Sequence, residues 1–119
     1  MEFRQSQKFS KELKRLSKKY RSLQSDLSKL QDVLRVLPLG NGSKHWNRLH
    51  ISDNGCITIF KVRLSCASLK GQSLFRIIYA HNIDNGEVVL IDFIELYYKG
   101  EKENEDRGLI QEYLDSLEN

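Results

Sequence analysis

The sequence predicts an α+β domain in which an N-terminal helical hairpin packs on a small antiparallel sheet and a helix closes the chain. Two observations predict this order of elements. Apolar residues recur every three or four positions from Phe9 to Leu37, and three strand-like runs follow, two of which flank Asn85-Gly86. A chain of 119 residues can bury a core of its own, so residues 1–119 are assigned to one domain.

The helical segment spans about residues 8–37. Its apolar positions alternate spacings of four and three, which is the pattern of an amphipathic helix; they are Phe9, Leu13, Leu16, Tyr20, Leu23, Leu27, Leu30, Leu34 and Leu37. Pro38 ends the pattern. Two alternatives fit this length, one continuous rod or a hairpin with a turn near residues 19–25. We prefer the hairpin, because it lets a small chain enclose one core.

The sheet is expected within about residues 57–98, with three to four antiparallel strands, and residues 39–55 form a loop with room for a short strand. Asn85-Gly86 is the pattern of a two-residue type I′ turn. Pairing outward from this turn places Arg76 opposite Glu95, and alternation places Ile94 on the face that the helices cover. The strand-like runs are Ile57–Cys66, Ser73–Asn82 and Glu87–Tyr98.

The closing helix is expected within about residues 103–117. The preceding acids favour its start, because negative charge is stabilised at the N-terminal end of a helix. They are Glu101, Glu103, Glu105 and Asp106.

Charge is distributed unevenly along the chain. Residues 1–50 carry twelve Lys/Arg and four Asp/Glu, whereas residues 83–119 carry three and eleven, within a net charge of +3. This asymmetry favours an anionic partner such as RNA or DNA; the alternative is a solvated basic helix balanced by an acidic one. No apolar run approaches the length of a membrane span and no secretion signal is evident, so we expect a cytoplasmic protein without membrane contact.

The cysteines and histidines do not predict a metal site. Cys56 and Cys66 are expected to be free thiols, and the three histidines lack the spacing of a ligand set. We therefore expect neither metal nor cofactor.

Five residues form the candidate catalytic set, because strand alternation brings them to one face of the sheet. They are Lys61, Arg63, Arg76, Tyr97 and Lys99. Arginine binds phosphate through two parallel hydrogen bonds and stabilises the charge of a phosphorane-like transition state, and a tyrosine can stack on a base. A lysine or tyrosine whose pKa is lowered by neighbouring cations can move protons to and from a 2′-hydroxyl and a leaving oxygen. Further candidates for RNA contact are Arg48, Lys70 and Tyr98.

Four members of this set also have a structural interpretation. Arg76 opposite Glu95 is the pattern of an exposed cross-strand ion pair. Lys61 and Arg63 match the polar face of an edge strand, and Tyr97 matches an aromatic residue at a strand end with a hydrated hydroxyl.

The order of the segments resembles the RelE/ParE superfamily of bacterial type II toxins, particularly the RelE-like ribosome-dependent mRNA interferases. The resemblance covers roughly residues 8–115 and rests on "FSKELKRLSKKYRSL", "FKVRL", "LFRIIYAH" and "NGEVVLIDFIELYYKGEKENED", followed by the closing helix. By motif, the paired basic residues of the family fall on Lys61 and Arg63, its next arginine on Arg76, and its basic residue at the end of the third strand near Tyr98 or Lys99. Relatives often carry a tyrosine or histidine for proton transfer after that strand, whereas this chain has "GEKENED".

The resemblance implies a toxin that cleaves translated mRNA at the ribosome by metal-independent acid–base chemistry. It also implies a cognate antitoxin as partner. Two alternatives stay open, because the fold alone does not fix the activity. One is a DNA gyrase inhibitor of the same fold, and the other is a nucleic-acid-binding module without catalysis.

Overall fold

A five-stranded mixed sheet forms the centre of the protein, in a computed structural model that describes residues 1–40 and 44–117. The strands lie in the order β1-β5-β4-β3-β2, with β1 parallel to β5 and every other pair antiparallel. Their bounds are β1 Glu2–Gln5, β2 Trp46–Ile51, β3 Ile57–Cys66, β4 Gln72–Asp84 and β5 Glu87–Tyr98.

Helices cover both faces of this sheet. Helices α1 (Gln7–Ser17) and α2 (Leu23–Val36) pack over the larger core, and α3 (Arg107–Ser116) packs over the smaller one. A short 3-10 turn, Ala67–Leu69, joins β3 to β4. None of the helices in the described residues is both long and apolar enough to cross a membrane. We call the two faces of the sheet the α1/α2 face and the α3 face.

The predicted fold is wrong in its sheet, which has five strands and is mixed rather than three or four antiparallel strands. Strand β1 was missed because only Phe3 of its four residues is apolar, and its pairing depends on β5, which lies far along the chain. Strand β2 lies in the segment expected to be mainly loop. The long apolar stripe contains two helices separated by residues 18–22, and the closing helix begins at Arg107 rather than near residue 103.

The predicted register of β4 on β5 is also wrong. The turn lies at Asn85-Gly86 as expected, with φ of 53° and 79° and with Asp84 opposite Glu87. Two bulges then each add one residue to β5, so that Arg76 faces Tyr97. Glu95 faces Ile78 instead of Arg76. The residues that follow a bulge lie on the face of the sheet opposite to the one that simple alternation predicts.

Ile94 shows the consequence of these bulges for the core. It was expected on the face covered by the N-terminal helices, but it packs with Ile78 and Ile110 on the α3 face. The next residue, Glu95, is likewise buried. The same α3 face also carries the polar groups of the candidate site.

Candidate functional site

Three strands bring Arg63, Arg76 and Tyr97 into one row on the α3 face. Arg63 of β3 lies opposite Arg76 of β4, and Arg76 lies opposite Tyr97 of β5. Neighbouring strands are about 4.8 Å apart, so the three Cα atoms span about 10 Å. The row next to it places Lys61 opposite Ile78, which lies opposite Glu95. The structure therefore brings together four of the five predicted catalytic residues.

The two arginines of this row carry like charges directly opposite each other. Arg63 is exposed, and within residues 1–40 and 44–117 its side chain has no hydrogen bond or ion pair. Arg76 is half-buried, and its Nη1 donates to the carbonyl oxygens of Ser73 at 2.6 Å and Phe75 at 3.0 Å. Burial and the charge of Arg63 lower the pKa of Arg76. Like charges directly opposite each other in a sheet are destabilising, so an anion placed between these two guanidinium groups would relieve their repulsion.

Lys61 differs from the arginines, because a carboxylate already neutralises it. Its Nζ lies 3.1 Å from Oε2 of Glu105, and the Glu105 side chain is only 5% exposed. Oε1 of Glu105 also lies 3.0 Å from Nη2 of Arg107. Burial opposes ionisation of Glu105, but a backbone hydrogen bond and Lys61 outweigh it and lower the pKa of that carboxyl. At neutral pH Lys61 therefore faces an ionised partner.

Tyr97 is 4% exposed, and its hydroxyl has no hydrogen-bond partner in the described part of the chain. Burial, followed by the charges of Glu105 and Glu95, raises the pKa of Tyr97 to about 12. Neighbouring cations therefore do not lower the pKa of Tyr97 overall, because burial and carboxylates dominate. Tyr97 stays protonated at neutral pH, so its hydroxyl can donate a proton or hydrogen bond and is unsuited to act as a base.

The segment after β5 lies against this row and holds Lys99. The Nζ of Lys99 donates to the carbonyl oxygen of Glu103 at 2.7 Å. Glu95, buried beneath the segment, accepts from Nζ of Lys102 and, at 2.8 Å, from the backbone N–H of Asp106. Several short contacts thus hold residues 99–106 over the Lys61 end of the site.

The acids of this segment divide between two tasks. Asp106 caps α3 by accepting from the backbone N–H of Gly108 at 2.9 Å and Leu109 at 3.3 Å. Glu101 instead binds Arg15 at 2.7 Å, and Glu105 binds Lys61. Asp106 therefore stabilises the start of α3 by direct capping, whereas Glu101 and Glu105 also neutralise basic side chains.

The three further RNA-contact candidates lie away from the row. Arg48 is exposed on β2 opposite Phe60, whose side chain belongs to the α1/α2 face. Lys70 lies in the β3–β4 connection in the left-handed region, with φ of 56°. Tyr98 packs on Tyr20 and Phe75 beneath the N-terminal helices. The structure does not bring these three residues to the Arg63–Arg76 pair.

The sequence analysis identified the cations of the site but missed the carboxylates that contact them. Glu105 lies 44 positions from Lys61, and no periodicity connects them. The acidic run "GEKENED" was the one available signal, because it follows the strand that carries Tyr97.

A second polar cluster at β1 was missed as well. Arg4 binds Asp92 through two hydrogen bonds at 2.9 and 3.1 Å, and the Tyr113 hydroxyl donates to the same carboxylate at 2.7 Å. Asn82 Nδ2 donates to the Tyr113 oxygen at 3.3 Å. These groups satisfy one another and join β1, β4, β5 and α3, which indicates a structural role.

Comparison of the chain with protein-family models, curated proteins and solved structures gives no match. The resemblance to RelE/ParE toxins therefore rests on the order of the sequence segments alone.

Proposed function

We propose that this chain is a toxin-like endoribonuclease that binds an RNA phosphodiester between Arg63 and Arg76. One observation carries the proposal: the two arginines face each other across β3 and β4 with no carboxylate between them in residues 1–40 and 44–117. A phosphate placed there would replace repulsion by charge-assisted hydrogen bonds, for which the planar guanidinium group is well suited.

The proposed reaction needs no bound cofactor. The 2′-oxygen attacks phosphorus, the bond to the 5′-oxygen breaks, and the products are a 2′,3′-cyclic phosphate and a 5′-hydroxyl. Arg63 and Arg76 would stabilise the added charge on the phosphoryl oxygens. Tyr97 would donate the proton that the 5′-oxygen gains, since its raised pKa keeps it protonated. Glu105, beside Lys61, would accept the proton of the 2′-hydroxyl.

A second candidate, a nucleic-acid-binding module without cleavage, is supported by other contacts. Lys61 and Glu105 are bound to each other, Glu95 is bound by Lys102, and Lys99 is held by a backbone carbonyl. Each of these groups would have to leave its partner to act on a substrate. Arg63 needs no such rearrangement, and Arg76 is bound to backbone carbonyls through Nη1. This candidate therefore keeps the phosphate-binding pair and omits the chemistry.

The partners implied by the family resemblance are also part of the proposal. We propose mRNA on the ribosome as the substrate and a cognate antitoxin as the neutralising partner, both in the cytoplasm. Inhibition of DNA gyrase is the third outcome that an experiment must distinguish. An adjacent reading frame whose product binds this chain would support the antitoxin.

Induction of the wild-type chain in bacteria, followed by mapping of transcript ends, tests the proposal. We expect growth arrest and new ends within translated codons, and we expect neither from the Arg76→Gln variant. The Arg48→Gln variant removes the same charge from an exposed strand site and is the matched control. Intact mRNA with damaged DNA would indicate gyrase inhibition, and retained RNA without new ends would indicate the binding module.

A further inference from the structure

Helix α1 carries a row of exposed cations on the side opposite its buried residues. Phe9, Leu13 and Leu16 face the core. A rotation of about 100° per residue places the cations on the outward side. We call these residues the α1 lysine stripe; they are Lys8, Lys11, Lys14 and, at the C-cap of the helix, Lys18, and all are exposed.

Within residues 1–40 and 44–117 the four lysines have no carboxylate partners. In the described part of the chain, the only ion pairs of this helix join Arg15 to Glu12 and to Glu101. Repulsion among neighbouring unpaired lysines opposes folding, as it does for like charges at helical spacing. A bound polyanion would remove that repulsion.

The rest of the exposed surface of α1 indicates the class of partner. No large apolar side chain is exposed between Gln7 and Ser22. Protein interfaces usually have an apolar core, and membrane-surface helices insert an apolar face, but the apolar face of α1 is already buried against the sheet. A nucleic-acid backbone needs only phosphate contacts, so RNA fits this surface best.

The stripe begins beside the candidate site. Lys8 and Lys11 line a cleft of about 330 Å³ whose wall also includes Tyr97 and Lys102, together with the acids Glu12, Glu95 and Asp106. Tyr97 lies directly opposite Arg76 in the sheet. From Lys8 to the C-cap residue Lys18 the stripe extends about 15 Å further.

We propose that the α1 lysine stripe is a second RNA-binding surface, along which the strand continues after it leaves the Arg63–Arg76 pair. The inference rests on the proposed RNA binding at that pair and extends it. The stripe supplies affinity without sequence preference, because lysine ammonium groups contact phosphates rather than bases.

Titration of a 2′-O-methyl oligoribonucleotide, which cannot be cleaved through its 2′-oxygen, tests the inference at several salt concentrations. Each phosphate contact contributes about 0.7 to the slope of log K against log salt for a single strand. The Lys11→Gln/Lys18→Gln variant should therefore lower the slope by about 1.4, which equals about a sevenfold change in relative affinity between 0.05 and 0.2 M salt. The Lys29→Gln/Lys44→Gln variant removes the same charge from exposed sites elsewhere and should keep the wild-type slope.

Two further variants separate the possible failures. Replacing Lys11 and Lys18 with arginine should preserve the slope, since the charge is kept. The Arg63→Gln/Arg76→Gln variant, measured in the same titration, tests the proposed function independently of the stripe.

A wild-type slope for the Lys11→Gln/Lys18→Gln variant would overturn the inference while leaving the arginine pair in place. The inference is also overturned if that variant keeps its RNA affinity but loses binding to polyglutamate or to anionic lipid vesicles. Loss of affinity in both the lysine and the control variants would also contradict it, because net charge alone would then explain binding.

Discussion

The Arg63→Gln substitution should make the protein slightly more stable, because it removes one of two facing charges without removing a side-chain contact. Arg63 is exposed and has no side-chain partner in residues 1–40 and 44–117. The backbone N–H of Arg63 donates to the carbonyl oxygen of His45 at 3.0 Å, and glutamine keeps that bond. The change therefore isolates the repulsion between Arg63 and Arg76.

The expected gain follows from the register of the two strands. A like-charge pair directly opposite in an antiparallel ladder costs about 0.2–1 kcal/mol. We expect a gain of about 0.5 kcal/mol in the free energy of unfolding at low salt, or about 2 °C in Tm for a chain of this size. In 1 M salt the Debye length falls to about 3 Å, so most of this gain should disappear.

Urea unfolding at low and high salt measures this effect, since guanidinium chloride would itself screen the charges. Arg48→Gln is the control, because Arg48 is exposed on β2 opposite the uncharged Phe60. A loss of more than about 1 kcal/mol in the Arg63→Gln variant would show that this arginine stabilises the fold. An undiminished gain in high salt would refute the electrostatic explanation.

Three further predictions concern other parts of the molecule. His81 is buried and burial lowers its pKa, so below pH about 6.5 the unfolded chain binds more protons than the folded one. The free energy of unfolding should therefore decrease as the pH is lowered, by up to about 1.4 kcal/mol per pH unit. Urea unfolding measures this, and an equal pH dependence in the His81→Leu variant would refute it. Ser6→Ala removes the cap of α1, whose Oγ accepts from the Phe9 N–H at 3.1 Å, and should cost about 1 kcal/mol in thermal or urea unfolding; no loss would mean that the cap is replaceable. Glu105→Gln frees Lys61 and should raise RNA affinity and the salt slope in filter binding, and unchanged affinity would show that Lys61 lies outside the RNA path.

The sequence was informative where one residue pattern decides the structure. The apolar stripe from Phe9 to Leu34 is buried throughout, because a helix against a sheet needs one continuous apolar side. The Asn85-Gly86 turn also formed as expected, because its dihedral angles suit few other residue pairs. Leu37, at the end of the stripe, is instead 41% exposed.

The errors arose where the structure depends on distant partners. A bulge adds a residue without a distinctive sequence, so the shift that moved Glu95 away from Arg76 could not be read from alternation. Strand β1 exists only through its parallel pairing with residues 90–93 of β5. The burial of Tyr97, followed by the charges of Glu105 and Glu95, likewise raises its pKa, and the burial of a tyrosine hydroxyl leaves no periodic signal in the sequence.

The proposed phosphate-binding pair can be observed directly by NMR of the arginine Nε–H groups during titration with a 2′-O-methyl oligoribonucleotide. If a phosphate lies between the two strands, the Nε–H resonances of Arg63 and Arg76 should shift together with one binding curve. The Arg48 resonance should change little, since its side chain lies on the other side of the sheet from that pair. Unshifted Arg63 and Arg76 signals at saturating RNA, or shifts no larger than that of Arg48, would contradict the account.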